Sequence, residues 1–316
     1  VAPTPRYAVL DAPSILGLRP TGVERLPQAL RAAGLLAGLQ AEDAGRVPDL
    51  NDRYDPVRDP TTGLLNGEAL RDFSHRLAGA VGRLLDGGRF PVVLGGDCSI
   101  LLGALLARRR RGRTGLVFLD AHADFYQPAA EPSGEVASME LALATGRGPA
   151  VLSDLDGLRP LVRDGDVALL GYRDAAEARA AGSQDVRATA MHVRDLWEVR
   201  AAGAAAAAAG AVRALSGAGP AGFWVHLDAD VLDDAVLPAV DYRLPDGLRP
   251  AELRAVLRTL LASGRAVGLT VTILNPALDP GGGAARALAA VLSGGLTDGE
   301  SGEDSSPEPT GHPVVT

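Results

Sequence analysis

The chain contains no lysine; all 31 of its basic side chains are arginine. That absence excludes Schiff-base and pyridoxal-phosphate chemistry, and it removes the lysine of a phosphate-binding loop. Cysteine is almost as scarce. Cys98 stands alone among 316 residues, so no intramolecular disulfide framework can form and a reducing, cytoplasmic setting is expected. No apolar run reaches the length of a membrane span, and the first residues lack the basic, apolar and small-residue regions of a secretory leader. Neither a membrane nor export is therefore expected. A formal net charge of −8 argues against a general nucleic-acid binder.

What is present suits an α/β protein with a sizeable core, since 47% of the residues are apolar and the length fits one large domain. Apolar runs mark strands at Tyr7–Leu10, Pro91–Leu94, Gly115–Leu119, Val167–Gly171, Gly222–Leu227 and Ala266–Val271. Helical stretches lie between them, near Arg25–Leu39, Glu68–Leu85, Ile100–Arg108, Met139–Thr145, Ala175–Ala181, Val199–Leu215, Pro250–Ser263 and Ala284–Ser293. Short apolar strands separated by helices predict a mostly parallel sheet covered on both faces. No linker or internal repeat divides residues 1–296, which are read as a single domain. From 297 to 316 the composition turns to Gly, Ser, Pro, Asp and Glu, and a disordered tail is expected there.

Three strands run into polar clusters: GGDCS at Gly95–Ser99, DAHAD at Asp120–Asp124 and HLDAD at His226–Asp230. Carboxyl ends of parallel strands gather along one edge, where open α/β folds place their sites. Asp120, His122 and Asp124 have i, i+2, i+4 spacing, so an extended chain would point all three the same way. Asp228 and Asp230 repeat the spacing. Four carboxylates and one imidazole at one edge would repel and resist desolvation unless a cation joined them. The hard donor set suits Mn²⁺ or Mg²⁺, with Zn²⁺ also possible.

The ordered triplet GGDCS, DAHADFY and HLDADVLDD resembles the arginase/agmatinase ureohydrolases. The likeness extends from GVERLPQALRAAGL (Gly22–Leu35) to ILNPALDP (Ile273–Pro280). It implies a three-layer α/β/α fold around a mostly parallel sheet of about eight strands. It also implies hydrolysis of a C–N bond by a metal-bound hydroxide, with two metals sharing the carboxylates; the cofactor expected here is Mn²⁺, as one or two ions. By resemblance, one ion takes Asp120, His122, Asp228 and Asp230. The other takes Asp120, Asp124, Asp228 and a histidine whose place is held here by Cys98. A thiolate there would favour Zn²⁺ or Fe²⁺; an inert buried thiol is the alternative. Asp124 would hold and orient the attacking hydroxide.

Two further positions depart from the family. Ala137 stands where a proton-shuttling histidine is expected, beside Glu135, and Ile273 stands where a glutamate would meet a guanidinium. Glu135 and water are then the candidates to protonate the leaving amine. Tyr126, Asp241, Tyr242 and Arg243 are candidates for substrate binding, with Arg243 either gripping a carboxylate or forming a surface salt bridge. His226 is read as a group supporting the metal ligands or as a core histidine. The expected activity is metal-dependent hydrolysis of a linear amidine or modified guanidine other than arginine or agmatine. An N-hydroxyguanidine substrate is the specific alternative, and a catalytically silent metal-binding relative with a regulatory or assembly role is the second class. The expected partner is a small molecule, and the resemblance implies trimers or hexamers.

Overall fold

The computed structural model describes residues 6–217 and 219–297, so the expected tail, except Thr297, lies outside the described residues. Eight strands form one sheet: β1 Tyr7–Ala12, β2 Glu42–Arg46, β3 Phe90–Gly95, β4 Gly115–Leu119, β5 Val167–Leu170, β6 His192–Arg194, β7 Phe223–Asp228 and β8 Ala266–Thr272. Their order is β2-β1-β3-β8-β7-β4-β5-β6, and every pairing is parallel. All carboxyl ends therefore point to one edge, as the alternation of strands and helices predicts.

Strand alternation divides the core into two layers. Val117 and Leu119 of β4, with Phe223, Val225 and Leu227 of β7, pack against the helices that carry Leu26, Val256 and Leu288. Leu116, Phe118 and Trp224 face the opposite layer, built on Phe73, Leu101 and Leu105. Each such fully buried apolar side chain contributes on the order of 1.5–3 kcal/mol. Both faces of the central strands are thus sealed, which is why those strands read as continuous apolar runs.

Two edge strands escape the sequence reading. β2 has no apolar pattern, and its residues are exposed or half-exposed. It is secured by Arg31, which donates to both Asp11 oxygens at 3.0 Å and to both Asp43 oxygens at 2.9 Å, tying β2 to β1. β6 is only three residues long. Two helices expected as continuous are divided. The first is interrupted at Gly34 (φ 85°) and the alanine-rich one at Gly203 (φ 83°); glycine reaches that conformation without a Cβ penalty.

Candidate metal centre

The four adjacent central strands end alike. Beyond β3, β8, β7 and β4, the side-chain oxygens of Asp97, Asn275, Asp228 and Asp120 each accept the N–H two residues on, at 2.6–3.0 Å. This turn stops the strand and fixes the direction of the loop beyond it. At the β3 turn there is no room for a side chain on residue 96. A Cβ on Gly96 would lie 1.9 Å from the Ser14 carbonyl oxygen.

These turns, rather than strand alternation, gather the metal-type ligands. β4 stops at Leu119, and Asp124 takes a φ of 43°, a conformation aspartate tolerates better than most residues. Asp230 lies in a single helical turn, Ala229–Val231, just past β7. The i, i+2, i+4 spacing marks the right residues, but the expected extended geometry is replaced by bends that bring the loops over the sheet edge. The loops also hold one another, because Asp230 Oδ1 accepts the Ala121 N–H at 3.1 Å.

Two ligand clusters result. In the first, His122 Nδ1 lies 2.9 Å from Asp230 Oδ2 and 3.6 Å from Asp120 Oδ1. Burial opposes charging of this imidazole, yet the Asp230 and Asp120 carboxylates hold its pKa well above normal. Burial likewise pushes Asp230 up, and the His122 charge and hydrogen bond outweigh it, leaving Asp230 lowered. In the second cluster, donor atoms of Cys98, Asp120, Glu140 and His226 all lie within 4.8 Å of one another. Cys98 Sγ donates to Asp228 Oδ2 at 2.6 Å and contacts Thr272 Oγ1 at 3.2 Å. Burial, then the surrounding carboxylates, pushes the thiol pKa well up.

Burial raises the pKa of Asp120, Asp124, Glu140 and Asp228 well above the carboxylate range, and their mutual repulsion adds to it. Both Glu140 oxygens, Asp120 Oδ2 and His226 Nε2 are buried without a hydrogen-bond partner among the described residues. Buried polar atoms are rarely left so, and a cation is the natural occupant of a space lined by acceptors. The donors present therefore fit divalent metal ions. Glu140 was not recognised in the sequence, since nothing in SMELALA distinguishes it from a surface residue opening a helix. Its burial follows from the helix Glu140–Ala144 being packed end-on over the site, with its Leu141 and Ala142 N–H groups on the Asp124 carbonyl oxygen at 3.2 and 3.4 Å.

A cavity of about 450 Å³ reaches the clusters through Cys98, His122, Asp124, Asp228 and Asp230, which line it, whereas Asp120, Glu140 and His226 do not. Ala137 and Ile273 line it too, so neither an imidazole nor a carboxylate is supplied at those places. Ile273 has a φ of 71°, an uncommon strain for a β-branched residue. Tyr126, Glu135, Asp241, Tyr242 and Arg243 all reach the wall, joined by Glu131 and Glu177, which sequence reading passed over. Burial, then nearby acidic groups, pushes the Tyr126 phenol up to about 12. Glu135 is buried, and its two oxygens accept the Arg19 N–H at 3.1 Å and the Tyr242 hydroxyl at 2.6 Å. Asp241 accepts from Thr21 Oγ1 at 2.7 Å and Asn275 Nδ2 at 2.8 Å. Arg243 is held by a bidentate pair with Asp234 at 2.5 and 2.8 Å. Asp97 accepts the N–H groups of Gly17 and Ser99 and shapes the β3 turn.

A parallel α/β sheet with carboxylates, an imidazole and a thiol over its carboxyl edge defines a metal-site α/β protein. The sequence profile of the Arginase family matches residues 6–296, and the chain belongs to that family. It is 29% identical over 290 residues to an arginase of Brevibacillus brevis, covering 90% of this chain and 96% of that one. With an arginase of Staphylococcus aureus the identity is 28% over 281 residues, covering 86% and 90%. The crystal structure of an arginase from Bacillus cereus superimposes with a TM-score of 0.81 at 27% identity, covering 93% of this chain and 98% of that one.

Proposed function

We propose that the protein is a metal-dependent hydrolase of guanidino or amidino C–N bonds, acting on a small linear amidine or modified guanidine rather than on arginine or agmatine. The observation that carries the substrate choice is the cavity lining beside the ligands. Ile273 offers a strained apolar side chain where the family's likeness implies a carboxylate, and Ala137 offers no proton. An apolar wall cannot pair with a guanidinium and leaves its charge desolvated. A less basic group, such as an N-hydroxyguanidine or an amidine whose basicity is lowered by an electron-withdrawing substituent, loses less at that wall.

When bound, divalent cations acidify water and polarise the C–N carbon's substituents, supplying nucleophile and electrophilic assistance. Asp120, His122, Asp228 and Asp230 would hold one ion, and Asp120, Asp124, Asp228 and Cys98 are candidates for the other. Asp124, which lines the cavity, is placed to accept a proton from the attacking water and to return it to the leaving nitrogen. Glu135 has both oxygens engaged, and its role is to hold Tyr242 across the mouth. The wall carboxylates Glu131, Glu135, Glu177 and Asp241 favour a substrate with a cationic distal end.

The retained carboxylate cage opposes a catalytically silent relative, since nothing structural obliges a fold to keep so much buried acid. The test is product release from metal-loaded protein across arginine, agmatine, N-hydroxyguanidines and linear amidines, followed as urea, ammonia or formamide. Turnover of an amidine or hydroxyguanidine, at least about 100-fold more efficient than of arginine, is expected, because the unpaired guanidinium costs a few kcal/mol. Turnover of arginine at parity would overturn the substrate assignment.

A further inference from the structure

We infer that Cys98, Asp120, Glu140 and His226 form a metal site of mixed sulfur, nitrogen and oxygen donors that takes a borderline-soft divalent cation, represented by Zn²⁺. The inference rests on the metallohydrolase reading above and concerns which residues complete the second ion's shell. The four donor atoms lie within 4.8 Å of one another. Tetrahedral Zn²⁺ bonds of about 2.0–2.3 Å place donor atoms about 3.3–3.8 Å apart, so the widest pair has to close by at most about 1–1.5 Å when the ion binds.

Orphaned atoms point to the ion independently of the acidic cluster. Glu140 is fully buried with neither oxygen hydrogen-bonded among the described residues, and Asp120 Oδ2 and His226 Nε2 are in the same state. The tautomer of His226 follows from its neighbour. Thr270 Oγ1 receives the Trp224 indole N–H at 3.3 Å and faces the Val225 carbonyl oxygen at 3.5 Å, with His226 Nδ1 at 2.8 Å. All three contacts are met when the hydroxyl proton goes to Val225 and the second lone pair accepts Nδ1–H. That leaves the lone pair of Nε2 bare, and the Phe118 ring at 4.8 Å fixes the plane of the imidazole. A histidine so oriented is arranged for ligation.

The chemistry of the set decides the metal. A thiolate and an imidazole with two carboxylates suit Zn²⁺ or Fe²⁺, whereas the neighbouring oxygen-rich set around His122 suits Mn²⁺. Cys98 therefore acts together with Glu140 and His226, which come from other elements, in place of a single imidazole at position 98. The protein would then hold two unlike ions joined through Asp120.

Cobalt is the probe, since Co²⁺ replaces Zn²⁺ and its thiolate complexes absorb by charge transfer. Metal-stripped protein titrated with Co²⁺ should bind two ions and develop this band. Cys98→Ser should abolish the band, Glu140→Gln should weaken binding of the ion that produces it by at least about tenfold, and His122→Asn should leave the band in place. Zn²⁺ should displace that ion in preference to Mn²⁺. Because His226 is in the core, its variant is replaced as evidence by X-ray absorption of the Zn²⁺-loaded wild type, which should show one sulfur and at least one imidazole. Co²⁺ binding without a thiolate band, or unchanged affinity in Glu140→Gln, would overturn the inference. Substrate turnover in that case would leave the hydrolase reading standing. A band without turnover of any substrate would do the reverse.

Discussion

The two ligand clusters share Asp120 and differ in how the protein itself balances their charge. Around His122, the imidazole pairs with Asp230 at 2.9 Å, and the backbone of Ala121 adds a donor to the same carboxylate. Around Cys98, Glu140 faces Cys98, Asp120 and His226 without a hydrogen bond to any of them, and four donor atoms have no partner among the described residues. The first cluster is a preformed site whose His122 proton stands in for a cation. At the second, burial pushes the thiol and the carboxyls up, which favours their neutral forms. Metal binding must therefore displace the His122 proton from its ion pair at the first cluster, and the protons that burial favours on thiol and carboxyls at the second.

Asp120→Asn breaks both sides of this comparison at once, and the largest effect is expected there. Each ion should bind at least about 100-fold more weakly, seen as loss of both equivalents by elemental analysis and loss of turnover. Cys98→His should shift the second cluster toward harder ions. Its Mn²⁺ affinity should rise about tenfold or more, with the Zn²⁺ preference lost, in competition titrations.

A smaller effect concerns pH. The folded-state pKa of Asp120, Asp124, Glu140 and Asp228 is raised, so the folded metal-free chain binds more protons than the unfolded one above the ordinary carboxylate range. Its stability therefore falls as pH rises from about 4 through those raised values. The raised His122 acts in the same direction, since its contribution is lost as pH rises through its folded pKa. Metal replaces these protons, so the gap in Tm between metal-loaded and metal-free protein should widen between about pH 6 and about pH 8. A constant gap would mean that the clusters are already ionised without metal. The smallest change is expected from Ile273→Glu. It supplies a counter-charge for guanidinium but leaves Ala137 without a proton, so arginine should bind more tightly, lowering KM, while kcat stays low.

The central strands were legible because both their faces are buried, which forces uninterrupted apolar runs such as VVL in β3 and LVFL in β4. β2 was not, because its place is set by Arg31 bridging Asp11 and Asp43, a contact between residues far apart in sequence. The ligands of DAHAD and HLDAD were legible from composition and spacing, although turns and not an extended chain bring them together. Glu140 was hidden, since a glutamate opening a short helix is ordinary until tertiary packing buries it. His226 was visible as a residue of the motif, and its orphaned Nε2 became apparent only with Thr270 and Phe118 placed around it. Tyr242 with Glu135, and Arg243 with Asp234, show the same limit, because partner choice at the cavity wall is decided by loops.

The most direct measurement is element-specific anomalous diffraction from crystals of protein loaded with Mn²⁺ and Zn²⁺ together. Manganese is expected beside His122 and Asp230, and zinc in contact with Cys98 Sγ, a Glu140 oxygen and His226 Nε2. Manganese in both places, or zinc with Glu140 and His226 left outside its shell, would contradict the division into two unlike sites.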